Sequence, residues 1–208
     1  MTGEPAGIEK DDTRERLVAA AHQQFAERGF HGASIALIAG EIGLTKQALL
    51  YHFKRKEEIY GEVLRRIAER MMAAARKADE TSNTPEENFE QTILNIFNSS
   101  LDNPLDTMVL MREMLDNQRQ DVPEDQWFLK ALLDEVVAKL EKVEGQADLP
   151  FADKVARVYL LLSAIQFYAG SGPVLTRFYG DKESEQIGHY FPQELGQLVR
   201  RLLNAGEA

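Results

Sequence analysis

The chain has 208 residues, 44% of them hydrophobic and 28% charged, with no cysteine and a formal net charge of −10. That length is ample to bury a core, in one large domain or in a small domain beside a larger one. The lack of thiols excludes a disulfide framework, a thiolate metal site and a cysteine nucleophile. Met1 to Lys10 is polar and lacks the basic start and apolar run of a secretory signal, so a cytoplasmic location is expected.

The charge is unevenly spread. Residues 1–56 carry 8 basic and 7 acidic side chains, a net of +1, while the remainder carries 16 and 27, a net of −11. From Thr45 to Lys56 the charges are Lys46, Lys54, Arg55 and Lys56, with no acid among them. An acidic body repels phosphates, so contact with a polyanion is expected through the small head.

In chain order, the first helix is expected to start near Asp12, with Glu15 three residues on. Leu17, Val18, Ala21 and Phe25 form its apolar stripe and Gly29 ends it. Ser34 caps a short second helix carrying Ile35, Ile38, Ala39 and Ile42, and Gly43 suits the left-handed residue that closes it. Thr45 caps a third helix, Lys46 to His52. Two short helices joined by a glycine turn make a helix-turn-helix pattern.

A long helix is predicted over Lys56 to Ala78, with Tyr60, Val63, Leu64, Ile67, Met71 and Ala75 at helical spacing. Thr84-Pro85-Glu86-Glu87 is a strong start signal for the next. Asn103-Pro104 and Pro123 open two more, and Gly145 ends the second of these. Val155 to Ala169 is apolar on nearly every side, as in a helix buried on more than one face. It is too short, and too interrupted by Arg157, Ser163 and Gln166, to span a membrane, so no membrane partner is expected. Gly170, Gly172 and Pro173 break the chain, and the last helix starts at Pro192. Alternating β-branched stretches are absent, so an all-α fold of about nine helices is predicted.

Gly29 to Lys56 is the most informative stretch. Phe30, Ile35, Ile38, Ala39, Ile42, Leu44, Leu49 and Phe53 supply the core of a three-helix head. Thr45, Lys46, Gln47 and Tyr51 then lie at the start or on the exposed side of the third helix, where a recognition helix meets base edges. Gln47 offers a donor and an acceptor suited to adenine. Tyr51, Lys54 and Lys56 suit phosphates, and Ser34 and Thr45 add hydroxyl and helix N-terminal contacts. The competing reading of these cations is an ordinary solvated face.

The order Ser34, Ile35, Ile38, Ala39, Gly43, Leu44, Thr45, Leu49, His52, Phe53, Lys56, Glu57 resembles the DNA-binding head of the TetR family of bacterial regulators. Ile42 stands where that family often has Ala, Leu50 where it usually has Tyr, and Gln47 where Gly is frequent. The resemblance adds Leu50 and His52 to the candidate DNA contacts. It implies a flexible tail over 1–11, a helix-turn-helix DNA-binding domain over 12–56, and a helical ligand-binding and dimerisation domain over 57–208. It further implies a homodimer on a palindromic operator in double-stranded DNA, a small-molecule effector of unknown identity, and repression relieved when a largely apolar ligand binds the body.

Candidates for that ligand cavity are Phe89, Phe97, Met108, Met111, Arg112, Met114, Trp127, Phe128, Tyr159, Gln166 and Phe167, with plain core packing as the alternative. Val158, Leu161, Leu162, Ile165, Leu195, Leu198, Val199 and Leu202 are expected at a four-helix dimer interface. His22, His31, His52 and His189 lack metal-ligand spacing. No phosphate loop or nucleophile–base pair stands out, so neither a cofactor nor an enzymatic activity is expected. Two alternatives stay open: a DNA-binding dimer with no small-molecule ligand, and a helical binding module whose head no longer binds DNA.

Overall fold

Local capping chemistry sets most of the helix boundaries. The computed structural model describes residues 6–116 and 128–204 and contains nine α-helices and no strand among them. These are α1 (Ala6–Gly32), α2 (Ile35–Glu41), α3 (Lys46–His52), α4 (Lys56–Arg76), α5 (Pro85–Asp102), α6 (Pro104–Asp116), α7 (Phe128–Leu140), α8 (Phe151–Tyr179) and α9 (Asp181–Asn204). A short 3-10 turn, Lys77–Glu80, follows α4. The hydroxyls of Ser34, Thr45 and Thr84 accept from the backbone N–H of Leu37, Ala48 and Glu87 at 3.1–3.2 Å. Each satisfies an amide that the first helical turn leaves without a partner.

Four boundaries differ from the sequence expectation. The first helix begins at Ala6, ahead of Asp12, and continues beyond Gly29, which survives as a kink at φ 69°, ψ 176°. Good helix formers at Ala6, Glu9 and Lys10 favour the extension. The breaks expected at Gly170–Pro173 and before Pro192 are absent: Pro173 lies inside the 29-residue α8 and Pro192 inside the 24-residue α9. Each proline removes one hydrogen bond, and the turns on both sides carry the helix across. The corner between them falls instead at Gly180, φ 83°. At its full length α8 is long and apolar enough to cross a membrane. It packs against α5, α7 and α9 on one side only, so the burial on more than one face expected from its apolar sequence is not seen within the subunit. Pro123, Trp127 and the side chain of Phe128 lie outside the described residues.

The described residues form two compact units. The first runs to Ile67 and includes the part of α6 from Met108; the second holds Ala68–Thr107 and the chain from α7 onwards. In the first, Leu17, Phe25, Ile38, Leu49, Phe53 and Ile59 are buried. In the second, Phe89, Ile93, Ile96 and Phe97 of α5 meet Val158, Leu161 and Ile165 of α8 and Leu195 and Val199 of α9 in the buried interior.

Candidate nucleic-acid interface

The interface is built on two seven-residue helices, too short to stand alone in water. A buried contact from each, Ile38 and Ala39 on α2 and Leu49 on α3, ties them to the head core. Between them Gly43 adopts φ 73°. Leu44 N donates to Ala39 O at 2.9 Å and Gly43 N to Gly40 O at 3.1 Å. This paired closure requires a left-handed residue, which glycine supplies without steric cost. The turn swings the chain so that Thr45 caps α3 at once.

With Leu49 turned inward, Thr45, Lys46, Gln47 and Tyr51 face solvent, and Leu50 and His52 are half-buried at the flanks. The Tyr51 ring is 69% exposed and stands edge-on to His52 at 5.4 Å. A large aromatic left in water on a polar helix is what a contact surface offers. Ser34, Ala36, Leu37 and Gly40 are exposed on α2. The Ser34 and Thr45 hydroxyls accept their capping bonds and keep their own hydrogens to donate to phosphate oxygens. Lys54 and Arg55 are exposed, and Arg55 lies 3.8 Å from Glu58.

Lys56 does not join them. Its ammonium donates to Phe30 O at 2.7 Å and Ala33 O at 3.1 Å and sits 4.3 Å from the Phe30 ring centroid. The carbonyls ending α1 and leading into α2 draw it inward, so Lys56 braces the head and Arg55 takes its expected place in solvent. Nothing in the local sequence reveals this, because both carbonyls lie more than twenty residues away.

A charged lattice ties α1 to the first half of α4. Arg66 makes two 2.6 Å bonds to Glu15, and Glu62 accepts from Arg14 at 3.2 Å, Arg65 at 2.8 Å and Arg66 at 3.0 Å. The Arg65 guanidinium, joined by Arg14 and Arg66, pulls the Glu62 carboxyl down to about 2. Its hydrogen bonds to Arg66 also hold Glu15 below the usual carboxylate range. Arg14 in addition covers the Phe53 ring at 4.9 Å.

The described candidates for the ligand cavity fall in both units. Met108, Met111, Arg112 and Met114 belong to the first unit, and Phe89, Phe97, Tyr159, Gln166 and Phe167 to the second. Met108, Met114, Tyr159 and Phe167 are exposed. Phe89 and Phe97 are core, with Phe97 stacked on Phe191 at 5.5 Å. The Arg112 side chain is committed to backbone carbonyls of α1, Nε to Ala26 O at 3.0 Å and Nη2 to Glu27 O at 2.9 Å. Among the described candidates, Gln166 has a ligand-like feature: its Oε1 is buried with no hydrogen-bond partner.

Most of the residues expected at the dimer face are covered within the subunit itself. Val158, Leu161, Ile165, Leu195 and Val199 are buried within the subunit, Leu162 and Leu202 are half-buried, and Leu198 is exposed. These residues line the inward stripes of α8 and α9. The opposite stripe of α8 bears Leu160, Phe167, Val174 and Phe178 in solvent, Phe167 being 71% exposed. An apolar period shared by both faces hid which one the subunit itself covers.

A capped, exposed helix behind a glycine turn, flanked by the solvent-facing Lys54 and Arg55, defines a helix-turn-helix DNA-binding protein of the transcription-regulator class. Residues 17–63 match the family model for bacterial regulatory proteins of the tetR family. The transcriptional regulator RutR of Escherichia coli (strain K12) is 27% identical over 91% of this chain and 88% of its own. The transcriptional activator FasR of Mycolicibacterium smegmatis is 35% identical over 36% of this chain and 34% of its own. A TetR-family regulator structure from Bordetella parapertussis has the same fold at a TM-score of 0.68 and 18% identity, over 91% of this chain and 94% of that one. The head of the chain, residues 17–63, is thus of the kind found in the TetR family of bacterial transcriptional regulators, and the chain as a whole has the fold of solved members of that family. Both relatives are transcriptional regulators and neither is named as an enzyme.

Proposed function

We propose that the protein is a homodimeric repressor whose two α3 helices enter successive major grooves of a palindromic operator. The observation that carries this reading is the solvent face of α3: Thr45, Lys46, Gln47 and Tyr51 stand out together on a helix anchored by Leu49. Base edges are read by Gln47 and phosphates by Ser34, Thr45, Tyr51, Lys54 and Arg55. A two-fold dimer formed through the outer stripe of α8 would match two half-sites about 34 Å apart. Residues 12–56 act as the DNA-binding domain and the rest as the effector and dimerisation domain, working in the cytoplasm.

Release is assigned to a small, largely apolar effector carrying one hydrogen-bond donor. The support is the buried Gln166 Oε1, which lacks a partner, since such an acceptor costs about 1–3 kcal/mol until a donor reaches it. A ligand that binds one arrangement of the dimer better than the other shifts operator occupancy by that difference.

Selection of bound duplexes from a random pool tests the DNA-reading part. A palindrome should be enriched, and Gln47→Ala should relax preference at one position in each half-site by about 1–3 kcal/mol. Enrichment of no duplex at low salt rejects the reading. An unchanged preference profile in the variant moves the readout off Gln47.

A further inference from the structure

α1 is interrupted at Gly29, and a cation brought from far along the chain sits on each side of the interruption. With φ at 69° and ψ at 176° there, the carbonyls of the preceding turn face a break in the helical ladder. Arg112 of α6 donates to two of them, Ala26 O and Glu27 O, at 3.0 and 2.9 Å. Beyond the glycine, Lys56 at the start of α4 donates to Phe30 O and Ala33 O. A cation on terminal helix carbonyls is favoured both as a hydrogen-bond donor and by the helix dipole.

Ala33 is followed directly by Ser34, the cap of α2. The backbone angle at Gly29 therefore sets the direction in which α2, the Gly43 turn and α3 leave α1. Glycine has no intrinsic preference strong enough to fix that angle. Neighbouring bonds complete the fastening: Tyr60 donates to Glu113 at 2.6 Å beside Arg112 and meets the Phe25 and Phe30 rings at 4.8 and 4.9 Å. Those two rings belong to the two sides of the kink.

We propose that Arg112 and Lys56 clamp the glycine hinge of α1, and that Arg112 is thereby a positioning residue for operator recognition although it touches no DNA. This rests on the DNA-binding reading of the head. Arg112→Met keeps the apolar stem and removes both donors; Arg112→Lys keeps the charge but loses the fixed pair of donors that the planar guanidinium presents.

The test uses the full-length protein and the duplex enriched by the wild type. Affinities for that duplex and for a random duplex are measured over a range of salt concentrations, with thermal midpoints alongside. R112M is expected to bind the selected duplex about tenfold more weakly. Its affinity for random duplex and its salt slope should match the wild type, because no phosphate contact is lost. R112K should fall between the two. Unchanged affinity of R112M for the selected duplex overturns the proposal, as does a salt slope reduced by about one with both duplexes weakened alike, the signature of a phosphate contact. If R112M loses its thermal midpoint, R112K decides, because wild-type affinity in that folded variant overturns the clamp equally. A wild type that enriches no duplex sinks the DNA-binding reading itself, a result distinct from either of these.

Discussion

Lys54 and Lys56 stand two residues apart in one basic run, yet only Lys54 keeps its ammonium in solvent. The two lysines therefore separate two quantities that a charge count merges. Lys54→Ala should lower the slope of log affinity against log salt by about one and leave unfolding in denaturant unchanged. Lys56→Met should leave the slope alone and destabilise the fold by about 1–3 kcal/mol, because the Phe30 and Ala33 carbonyls lose charged donors. Parallel salt titrations and denaturant curves check both, and a reduced slope in Lys56→Met would return that residue to the DNA surface. At this scale the sequence made the exposed face of α3 legible, since the exposure of Thr45, Lys46, Gln47 and Tyr51 follows from one cap and one buried Leu49. The roles of Lys56 and Arg112 were not legible. Each is decided by carbonyls more than twenty, and more than eighty, residues away.

Among the elements, those bounded by side chains that bond their own backbone were readable: Ser34, Thr45 and Thr84 cap where their spacing says they should. Pro173 and Pro192 misled because a breaker acts on one turn, at about 3 kcal/mol, while α8 and α9 are long helices that pack on each other and on α5 through other turns. The link between α1 and α4 was equally invisible, as it depends on tertiary pairing of Glu15 and Glu62 with three arginines. That lattice gives the head a pH dependence whose sign is fixed by the carboxylates. Glu62 titrates near 2 in the folded chain against an ordinary 4.5, so it stabilises the fold fully above 4.5 and loses that contribution as pH falls towards 2. Glu15 is shifted in the same direction. Thermal unfolding between pH 6 and 3 should show a wild-type midpoint that falls more steeply than that of Glu62→Gln. Half-exposed arginine partners and solvent screening hold the difference to on the order of 1 kcal/mol. Curves that stay parallel across the range would show that the lattice is not coupled to unfolding.

At the scale of the whole molecule, the acidic body and the near-neutral head leave the recognition surface as the face that approaches a polyanion with least repulsion. In the proposed dimer the two heads are joined through α8, which is apolar on opposite sides. Val158, Leu161 and Ile165 are covered by the subunit, and Leu160, Phe167, Val174 and Phe178 are not. A single subunit leaves this second stripe in water, and pairing with a second copy removes it. Substitutions on the two stripes should therefore have opposite signatures. Ile165→Ala removes buried volume and should cost about 2–5 kcal/mol of stability with the oligomeric state unchanged. Phe167→Asp leaves the subunit interior intact but places a charge at the centre of the outer stripe. Sedimentation equilibrium should then report a monomer with near wild-type helicity. Such a monomer engages one half-site at a time, so its affinity for the enriched palindrome should fall towards that for an isolated half-site, since the second contact no longer benefits from a high effective concentration. A Phe167→Asp protein that remains dimeric would place the two-fold contact on another surface.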